Sequence, residues 1–267
     1  MVNNTSPIGI MDSGIGGLTI AKSIKSVLPS ETLFYFGDTV HLPYGDKSPK
    51  AIIKYSNQIA DFLFGSGCKL LVIACNSASV SAYDSLIKKW GNDKIINVID
   101  PVVATAAEFN SQHVGVIGTK RTISSKVYFT KLTNAGVNKV SELATPLLAN
   151  MIEEGFINNS ISHALIENYI TRPKLAGIDS LILACTHYPL ISAEIASFLD
   201  KNVKILDSTI PVAQAVLDNL TARDLLSTEA NNIADDKFWV SDLTSSFQKT
   251  ARMFFGEEIN NKKKVLK

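Results

Sequence analysis

The chain has 267 residues, of which 46% are hydrophobic and 19% charged, and its net charge at pH 7 is +1. These values are typical of a globular protein with one large domain or two small ones, and give no electrostatic reason to expect nucleic acid as a partner. No apolar run approaches the roughly 18 residues of a membrane span, and the polar N-terminus lacks the features of a signal peptide. We therefore expect a cytoplasmic protein that binds neither nucleic acid nor membrane.

Short apolar runs alternate with amphipathic stretches along the chain. The first series has predicted strands at 8–11, 33–36, 70–74 and 95–99, and predicted helices at 18–28, 49–64 and 79–90. The second series has predicted strands at 114–117, 140–143, 181–184 and 203–206, with a helix at 192–199. A helix at 211–220 and a last strand at 238–240 follow. Strands that alternate with helices of this length indicate repeated βαβ units with parallel sheets.

This pattern predicts an α/β protein with two pseudo-symmetric domains, mostly parallel sheets and an active site in the cleft between the domains. The proline of Asp100-Pro101 interrupts the first series, which favours a boundary there. We assign residues 1–99 and 209–267 to a discontinuous N-terminal domain and residues 100–208 to a second domain. The lysine-rich tail, residues 257–267, is predicted to be a solvated or frayed terminus.

The chain has three cysteines, Cys68, Cys75 and Cys185. Their odd number argues against a disulfide framework, and no CxxC spacing suggests a zinc site. Cys75 and Cys185 each follow an aliphatic run and an alanine, and each precedes small polar residues. A lone cysteine in such a place is usually a buried hydrophobe. Cys68 lacks this polar context and is predicted to be structural.

The match between the two cysteine segments favours a functional interpretation for Cys75 and Cys185. Each cysteine would lie at the carboxyl end of a buried parallel strand, where open α/β sheets bind ligands. Two thiols on opposite sides of one small molecule could remove a proton from one face of a carbon and return one to the other. Asn76, Ser77, Thr186 and His187 would lie in the turns after these strands, where free backbone N–H groups favour anions. His187 would either handle protons for Cys185 or simply cap a helix or pack in the core.

The segment Asp12-Ser13-Gly14-Ile15-Gly16-Gly17 follows the first predicted strand. Its spacing is neither GxGxxG nor Walker A. It is either a tight turn without a ligand, or a turn whose N–H groups reach a small anion while Asp12 acts as proton relay or ammonium partner. Tyr44, in a Pro-Tyr-Gly turn, offers a hydroxyl to a substrate. Glu153 ends a helical stretch and, judged by its neighbours alone, is expected to be solvated.

Five segments together resemble the glutamate racemase family, which needs no cofactor and supplies D-glutamate for peptidoglycan. They are MDSGIGGLT at 11–19, YFGDTVHLPYG at 35–45, ACNSAS at 74–79, MIEEG at 151–155 and ACTHYPL at 184–190. They occur over most of the chain in the family's order and spacing. One departure is Ser77, where the family usually has threonine; the hydroxyl is kept.

The resemblance implies roles for individual residues. Cys75 and Cys185 would be the two catalytic acid/bases, with Asp12 assisting Cys75 and His187 assisting Cys185. The residues implied to contact the glutamate substrate are Asp12, Ser13, Tyr44, Gly45, Asn76, Ser77, Thr186 and His187. Glu153 would lie at the edge of the site and Asp38 near the first cysteine. No metal and no cofactor are implied, and a homodimer is compatible with the resemblance.

Two other functions remain open. An aspartate or hydantoin racemase would use the same scaffold, whereas related decarboxylases keep only one of the two cysteines. An amino-acid-binding protein without catalytic activity would also suit two α/β lobes, although periplasmic binders carry signal peptides and need no paired thiols. A pyridoxal enzyme is not indicated, because no lysine follows a predicted strand in a polar turn.

Overall fold

A computed structural model of the chain describes residues 2–228, 235–243, 251 and 261–266. The strands are β1 (Ile8–Asp12), β2 (Leu33–Gly37), β3 (Leu70–Ile73), β4 (Ile95–Asn97), β5 (His113–Gly118), β6 (Lys139–Ala144), β7 (Ser180–Ala184), β8 (Lys204–Leu206), β9 (Lys237–Val240) and β10 (Asn261–Lys263). The helices are α1 (Leu18–Val27), α2 (Pro49–Gly65), α3 (Asn76–Trp90), α4 (Ile99–Glu108), α5 (Lys120–Ser124), α6 (Val127–Asn134), α7 (Leu148–Glu153), α8 (Ser160–Ile170), α9 (Ser192–Ala196) and α10 (Thr209–Ala222). Short 3-10 turns cover Tyr44–Asp46, Asn92–Lys94, Pro173–Leu175 and Tyr188–Ile191.

The chain forms two compact units, Met1–Val98 with Thr209–Lys267, and Ile99–Ser208. The first unit contains a parallel sheet in the order β10-β9-β2-β1-β3-β4. The second contains a parallel sheet in the order β6-β5-β7-β8. The mixed α/β class with parallel sheets is as the sequence predicts. The proposed domain boundaries stay predictions.

Burial explains why these segments are strands. Every residue of β1, β2, β3 and β7 is buried, as expected for parallel strands covered on both faces. Ser48 caps the N-terminal end of helix α2: its side chain accepts a hydrogen bond from the Ala51 N–H, and Pro49 suits the first turn. Its apolar face packs with β3 and α3 in a core that includes Cys68, which is 2% exposed. No helix among the described residues is long and apolar enough to span a membrane.

Both units share one strand order around their cysteines. In the first unit the neighbouring strands run in the order β2-β1-β3-β4. In the second unit they run in the matching order β6-β5-β7-β8. The third strand of each set, β3 or β7, therefore lies between the first and the fourth. Cys75 and Cys185 follow these third strands. This repeated topology places each cysteine at the carboxyl end of its sheet, as the alternation of elements predicts.

Three expectations about the secondary structure were wrong. The strand predicted at 95–99 ends at Asn97, because Ile99 already begins α4; Pro101 lies in the first turn, where its missing N–H costs little, so it does not break the pattern. The helix predicted at 192–199 ends at Ala196. The tail predicted as frayed contributes β10, which pairs in parallel with β9. Residues 257–260 and 267 of that tail lie outside the described part of the chain.

Candidate active site

Cys75 lies at the junction of β3 and α3. The Ala74 N–H donates to the Met11 oxygen at 2.8 Å, and the Ser79 N–H donates to the Cys75 oxygen at 2.8 Å, so the chain leaves the sheet and enters the helix at the cysteine. Cys75 is the N-cap residue of α3 and is 7% exposed. Its thiol donates to Ser13 Oγ at 3.6 Å. The N-terminal end of a helix favours negative charge, so this position suits a thiolate.

The glycine-rich turn after β1 wraps around the carboxylate of Asp12. Asp12 Oδ2 accepts from the Gly17 N–H at 2.9 Å and from the Gly14 N–H at 3.3 Å. A Cβ at Gly17 would lie 2.7 Å from the Asp12 Cβ, so only glycine fits there. Asp12 is fully buried. The anion held by these backbone amides is therefore the chain's own carboxylate, at the end of the strand next to β3.

Asp38 and Tyr44 belong to the same end of the first sheet. The Asp38 N–H donates to the backbone carbonyl oxygen of Asp12 at 3.0 Å, and Tyr44 Oη donates to Asp38 Oδ2 at 2.6 Å. Burial and then the charge and hydrogen bond of Asp38 raise the pKa of Tyr44, with smaller contributions from Cys75 and Asp12. Tyr44 is thus a neutral donor at ordinary pH. The hydroxyl hydrogen that the sequence offered to a substrate goes to Asp38, and Gly45 follows in the Tyr44–Asp46 turn.

Cys185 begins a row of three side chains in the second unit. Its sulfur is 3.6 Å from His187 Nδ1, and His187 Nε2 is 2.8 Å from Glu153 Oε1. Cys185 is 5% exposed, and the Glu153 side chain is 21% exposed. The expectation that Glu153 is solvated was therefore wrong: as the last residue of α7 it faces the imidazole. Of the two interpretations of His187, the structure favours the one that joins it to its thiol.

The surroundings of His187 favour its protonated form. Burial by itself lowers the pKa of this imidazole, but the hydrogen bonds and negative charges of Cys185 and Glu153 outweigh burial and raise the pKa well above its usual value. An imidazolium beside a sulfur stabilises the thiolate. The imidazole of His187 can therefore hold a proton next to the Cys185 sulfur or release it, with Glu153 on its other side.

The two units differ at the ends of their first strands, β1 and β5. Gly118 of β5 pairs with Ala184, the residue before Cys185. Asp12 follows Met11, the partner of Ile73, and so occupies the corresponding place beside Ala74. A Cβ at Gly118 would lie 2.9 Å from the Ala184 oxygen, which leaves no room for a carboxylate. Cys185 takes its ionisable neighbour from its own turn instead.

The other residues singled out in the sequence lie in the two turns. Asn76 and Ser77 open α3, Thr186 follows Cys185 directly, and all three are buried. Cys68 lies in the core, as predicted, where burial raises the pKa of its thiol to about 12. Within the described ranges, no group of three or more His, Cys, Asp or Glu side chains is placed to hold a metal ion.

Comparison with known proteins places the chain in a family. The model of the Asp/Glu/hydantoin racemase family matches residues 8–216. The chain belongs to this family. It is 38% identical over 257 residues to a glutamate racemase of Geobacter metallireducens, covering 95% of this chain and 94% of the relative.

Solved structures agree with the family assignment. A glutamate racemase of Francisella tularensis in complex with D-glutamate matches with a TM-score of 0.90 and 34% identity, over 99% of this chain and 98% of that one. A glutamate racemase isoform of Bacillus anthracis matches with a TM-score of 0.92 and 31% identity, over 98% of both chains. The chain is thus an enzyme of the racemase type with the two-domain racemase fold.

Sequence reasoning missed the surroundings of Asp38. Its carboxylate also accepts from Ser241 Oγ at 2.9 Å and is 2.9 Å from His41 Nδ1, and His41 stacks on Tyr55 with ring centroids 3.8 Å apart. The His41 contact had a local signal, since an aspartate three residues away could have suggested it. Ser241 gave none, because it joins Asp38 across 203 residues of sequence.

Proposed function

We propose that this racemase interconverts L-glutamate and D-glutamate by two proton transfers at the α-carbon, with Cys75 and Cys185 as the two proton carriers. The observation that carries the proposal is the repeated placement of a nearly buried thiol after the third strand of each unit. Each thiol also has ionisable residues in its own unit. The three relatives named above are all called glutamate racemases, and this supports glutamate as the substrate.

The chemistry requires two bases because the α-proton of an amino acid is a very weak acid. One thiolate removes this proton, which leaves the electron pair on the α-carbon, and the other thiol gives its proton to the opposite face. The first cysteine ends as a thiol and the second as a thiolate, so the two protonation states are exchanged. Cys75 would act on D-glutamate and Cys185 on L-glutamate. The thiols supply both proton transfers, and we propose that no cofactor or metal is needed.

Neighbouring residues would support these transfers in different ways. Asp12 assists Cys75, while His187, oriented by Glu153, assists Cys185. Asp38, held by Tyr44, supports the Cys75 side. The turns at the start of α3 and after Cys185 would bind the substrate carboxylates, since the N-terminal end of a helix favours negative charge. The proposed substrate contacts are Asp12, Ser13, Tyr44, Gly45, Asn76, Ser77, Thr186 and His187.

The product D-glutamate would serve peptidoglycan synthesis. This role comes from the family resemblance. The cytoplasmic location and a homodimer also stay predictions.

Incubation with pure L-glutamate tests the reaction. Optical rotation should decay to zero without added cofactor, and in heavy water deuterium should appear on the α-carbon of the product enantiomer before much appears in the remaining substrate. Aspartate should be a poor substrate. Rotation that stays constant would reject a glutamate racemase; tight binding of glutamate without turnover would favour an amino-acid-binding protein.

Substitution of the thiols tests the mechanism. Cys75→Ala and Cys185→Ala should each lower kcat/KM by about 1000-fold or more, because each face of the α-carbon needs its own proton carrier. Cys68→Ala is the matched control and should keep most activity, since Cys68 lies in the core. A single variant at 75 or 185 that racemises at a near-normal rate would remove that cysteine from the mechanism.

A further inference from the structure

Ser241, the residue after β9, forms hydrogen bonds with the end of β2 and with the loop that follows β2. Ser241 Oγ donates to Asp38 Oδ1 at 2.9 Å and accepts from the Val40 N–H at 2.9 Å. The Ser241 N–H donates to the Gly37 oxygen at 3.0 Å, which continues the pairing of β9 with β2. Ser241 is buried. One side chain thus holds both the carboxylate and the backbone of this loop.

The next residue, Asp242, forms further contacts with the same loop and with Lys263. Thr39 Oγ1 donates to the backbone carbonyl oxygen of Asp242 at 2.6 Å and accepts from the Asp242 N–H at 2.8 Å. On its other side Asp242 forms an ion pair with Lys263 at 2.6 Å, in which both side chains are exposed. Exposed ion pairs contribute little because water screens them. This ion pair therefore adds little to the hold on the loop, whereas the buried hydroxyl of Ser241 contacts the Asp38 carboxylate directly.

The loop that Ser241 fastens leads to residues of the proposed site. Asp38 accepts from Tyr44 Oη at 2.6 Å, and Gly45 follows in the same short turn. The Asp38 N–H donates to the Asp12 oxygen at 3.0 Å. A shift of Asp38 would therefore move Tyr44 and Gly45, and it would disturb the backbone next to Asp12.

We infer that Ser241 is the positioning residue of the loop 38–46: it holds Asp38, and through Asp38 it places Tyr44 and Gly45 on the Cys75 side of the site. The kinetic part of this inference rests on the proposed function. A second consequence is a change in how fast Cys75 reacts with an electrophile. This rate can be measured whether or not glutamate is the substrate.

The test compares Ser241→Ala with wild type by kinetics and by iodoacetamide labelling followed by mass spectrometry. The alanine variant should lose about 10- to 100-fold in kcat/KM, mainly through a higher KM, because residues that bind substrate are displaced. Labelling of Cys75 should become several-fold faster as the loop loosens, while labelling of Cys185, in the other unit, should not change. Ser241→Thr should restore both values, since Ser241 borders a cavity of about 280 Å³ that can take a methyl group.

Ser180→Ala is the matched control. Ser180 is a buried serine at the amino end of β7, in the other unit, and its substitution also removes a side-chain hydrogen bond, that of 2.7 Å with Ser111. It should leave kcat/KM and Cys75 labelling unchanged. Should Ser241→Ala not fold, Ser241→Val and Ser241→Thr repeat the comparison with side chains of equal shape. Unchanged Cys75 labelling, equal changes at Cys185, or failure of threonine to restore would overturn the inference. Absence of racemisation in the wild type would reject the proposed function and leave the labelling result to decide on Ser241.

Discussion

Each of the two proposed proton carriers has ionisable partners of a different chemical type. The proposed partner of Cys75 is the Asp12 carboxylate, which two backbone N–H groups of its own turn hold in place. The partner of Cys185 is an imidazole, which Glu153 holds from its far side. Each partner belongs to the same unit as its cysteine. Perturbing one partner should therefore slow one proton transfer and leave the other nearly intact.

This asymmetry predicts isotope effects that depend on the substrate enantiomer. Because the two enantiomers have equal free energy, kcat/KM must be the same in both directions for any variant. In Asp12→Asn the transfer at Cys75 becomes the slow step, so α-deuterated D-glutamate should show an enlarged isotope effect and α-deuterated L-glutamate a small one. His187→Asn should show the reverse. Equal effects with both enantiomers would mean that these residues only bind substrate or support the fold.

The raised pKa of His187 predicts a shift in the pH profile of Glu153→Gln. Removal of the carboxylate removes one cause of the raised pKa, so the imidazolium is lost at a lower pH. The upper pH limit of kcat/KM should therefore move to lower pH. Because the folded-state pKa is raised, the stability contributed by the charged pair is fully present below about pH 6.5 and is lost as the pH rises through the folded pKa.

Glu154→Gln is the matched control for this prediction, because Glu154 is exposed and adjacent to Glu153. This variant should leave the pH dependence of kcat/KM and the pH dependence of stability unchanged. The stability difference between wild type and Glu153→Gln should shrink as the pH rises. A pH profile of Glu153→Gln that coincides with the wild type would remove this carboxylate from the control of His187.

At the scale of elements, both sites are built from a buried parallel strand, a turn and the start of the next segment. The strands could be predicted because an aliphatic run closed by polar residues has few other interpretations in a parallel sheet. β10 could not, because Asn-Lys-Lys has no apolar pattern and pairs with β9 through its backbone. The start of α4 was missed since proline both breaks helices and suits their first turn.

The site was predictable to a similar degree. The sequence placed Cys75, Cys185 and the polar residues after them, since these follow directly from the strand ends. The partner of His187 and the serine that holds Asp38 depend on contacts between distant segments. Local sequence cannot show such contacts, because a glutamate on a helix or a serine after a strand is usually solvated.

The turn after β1 gives a prediction at this scale. A Cβ at position 17 would lie 2.7 Å from the Asp12 Cβ and 3.0 Å from the Ala74 Cβ, so Gly17→Ala must push Asp12 out of place. We expect a loss of stability of about 1–3 kcal/mol and a fall in kcat/KM. Gly65→Ala is the matched control, because a Cβ there meets nothing within 4 Å. Urea unfolding and steady-state kinetics measure both effects, and equal stability of the two variants would contradict the proposed crowding.

At the scale of the whole molecule, the chain uses one topology twice and changes the details at the strand ends. The shared order of four strands gives each unit a thiol in the same place. The first unit then adds β9 and β10 to its sheet, and these strands follow the part of the chain that the family model matches. The proposed reaction needs one thiol from each unit, so a single ligand should affect both thiols at once.

Protection of the thiols by glutamate tests this requirement. Without ligand, Cys75 and Cys185 should be alkylated quickly by a small electrophile, because each lies in a polar turn after its strand. Saturating glutamate should slow the labelling of both with one shared concentration dependence, since one bound molecule would shield both sulfurs. Cys68 is the internal control: burial raises the pKa of its thiol to about 12, so it should react slowly and should not respond to glutamate. Protection of Cys68, or of only one of the other two thiols, would mean that the two sulfurs do not serve one substrate, and the two-base mechanism would have to be abandoned.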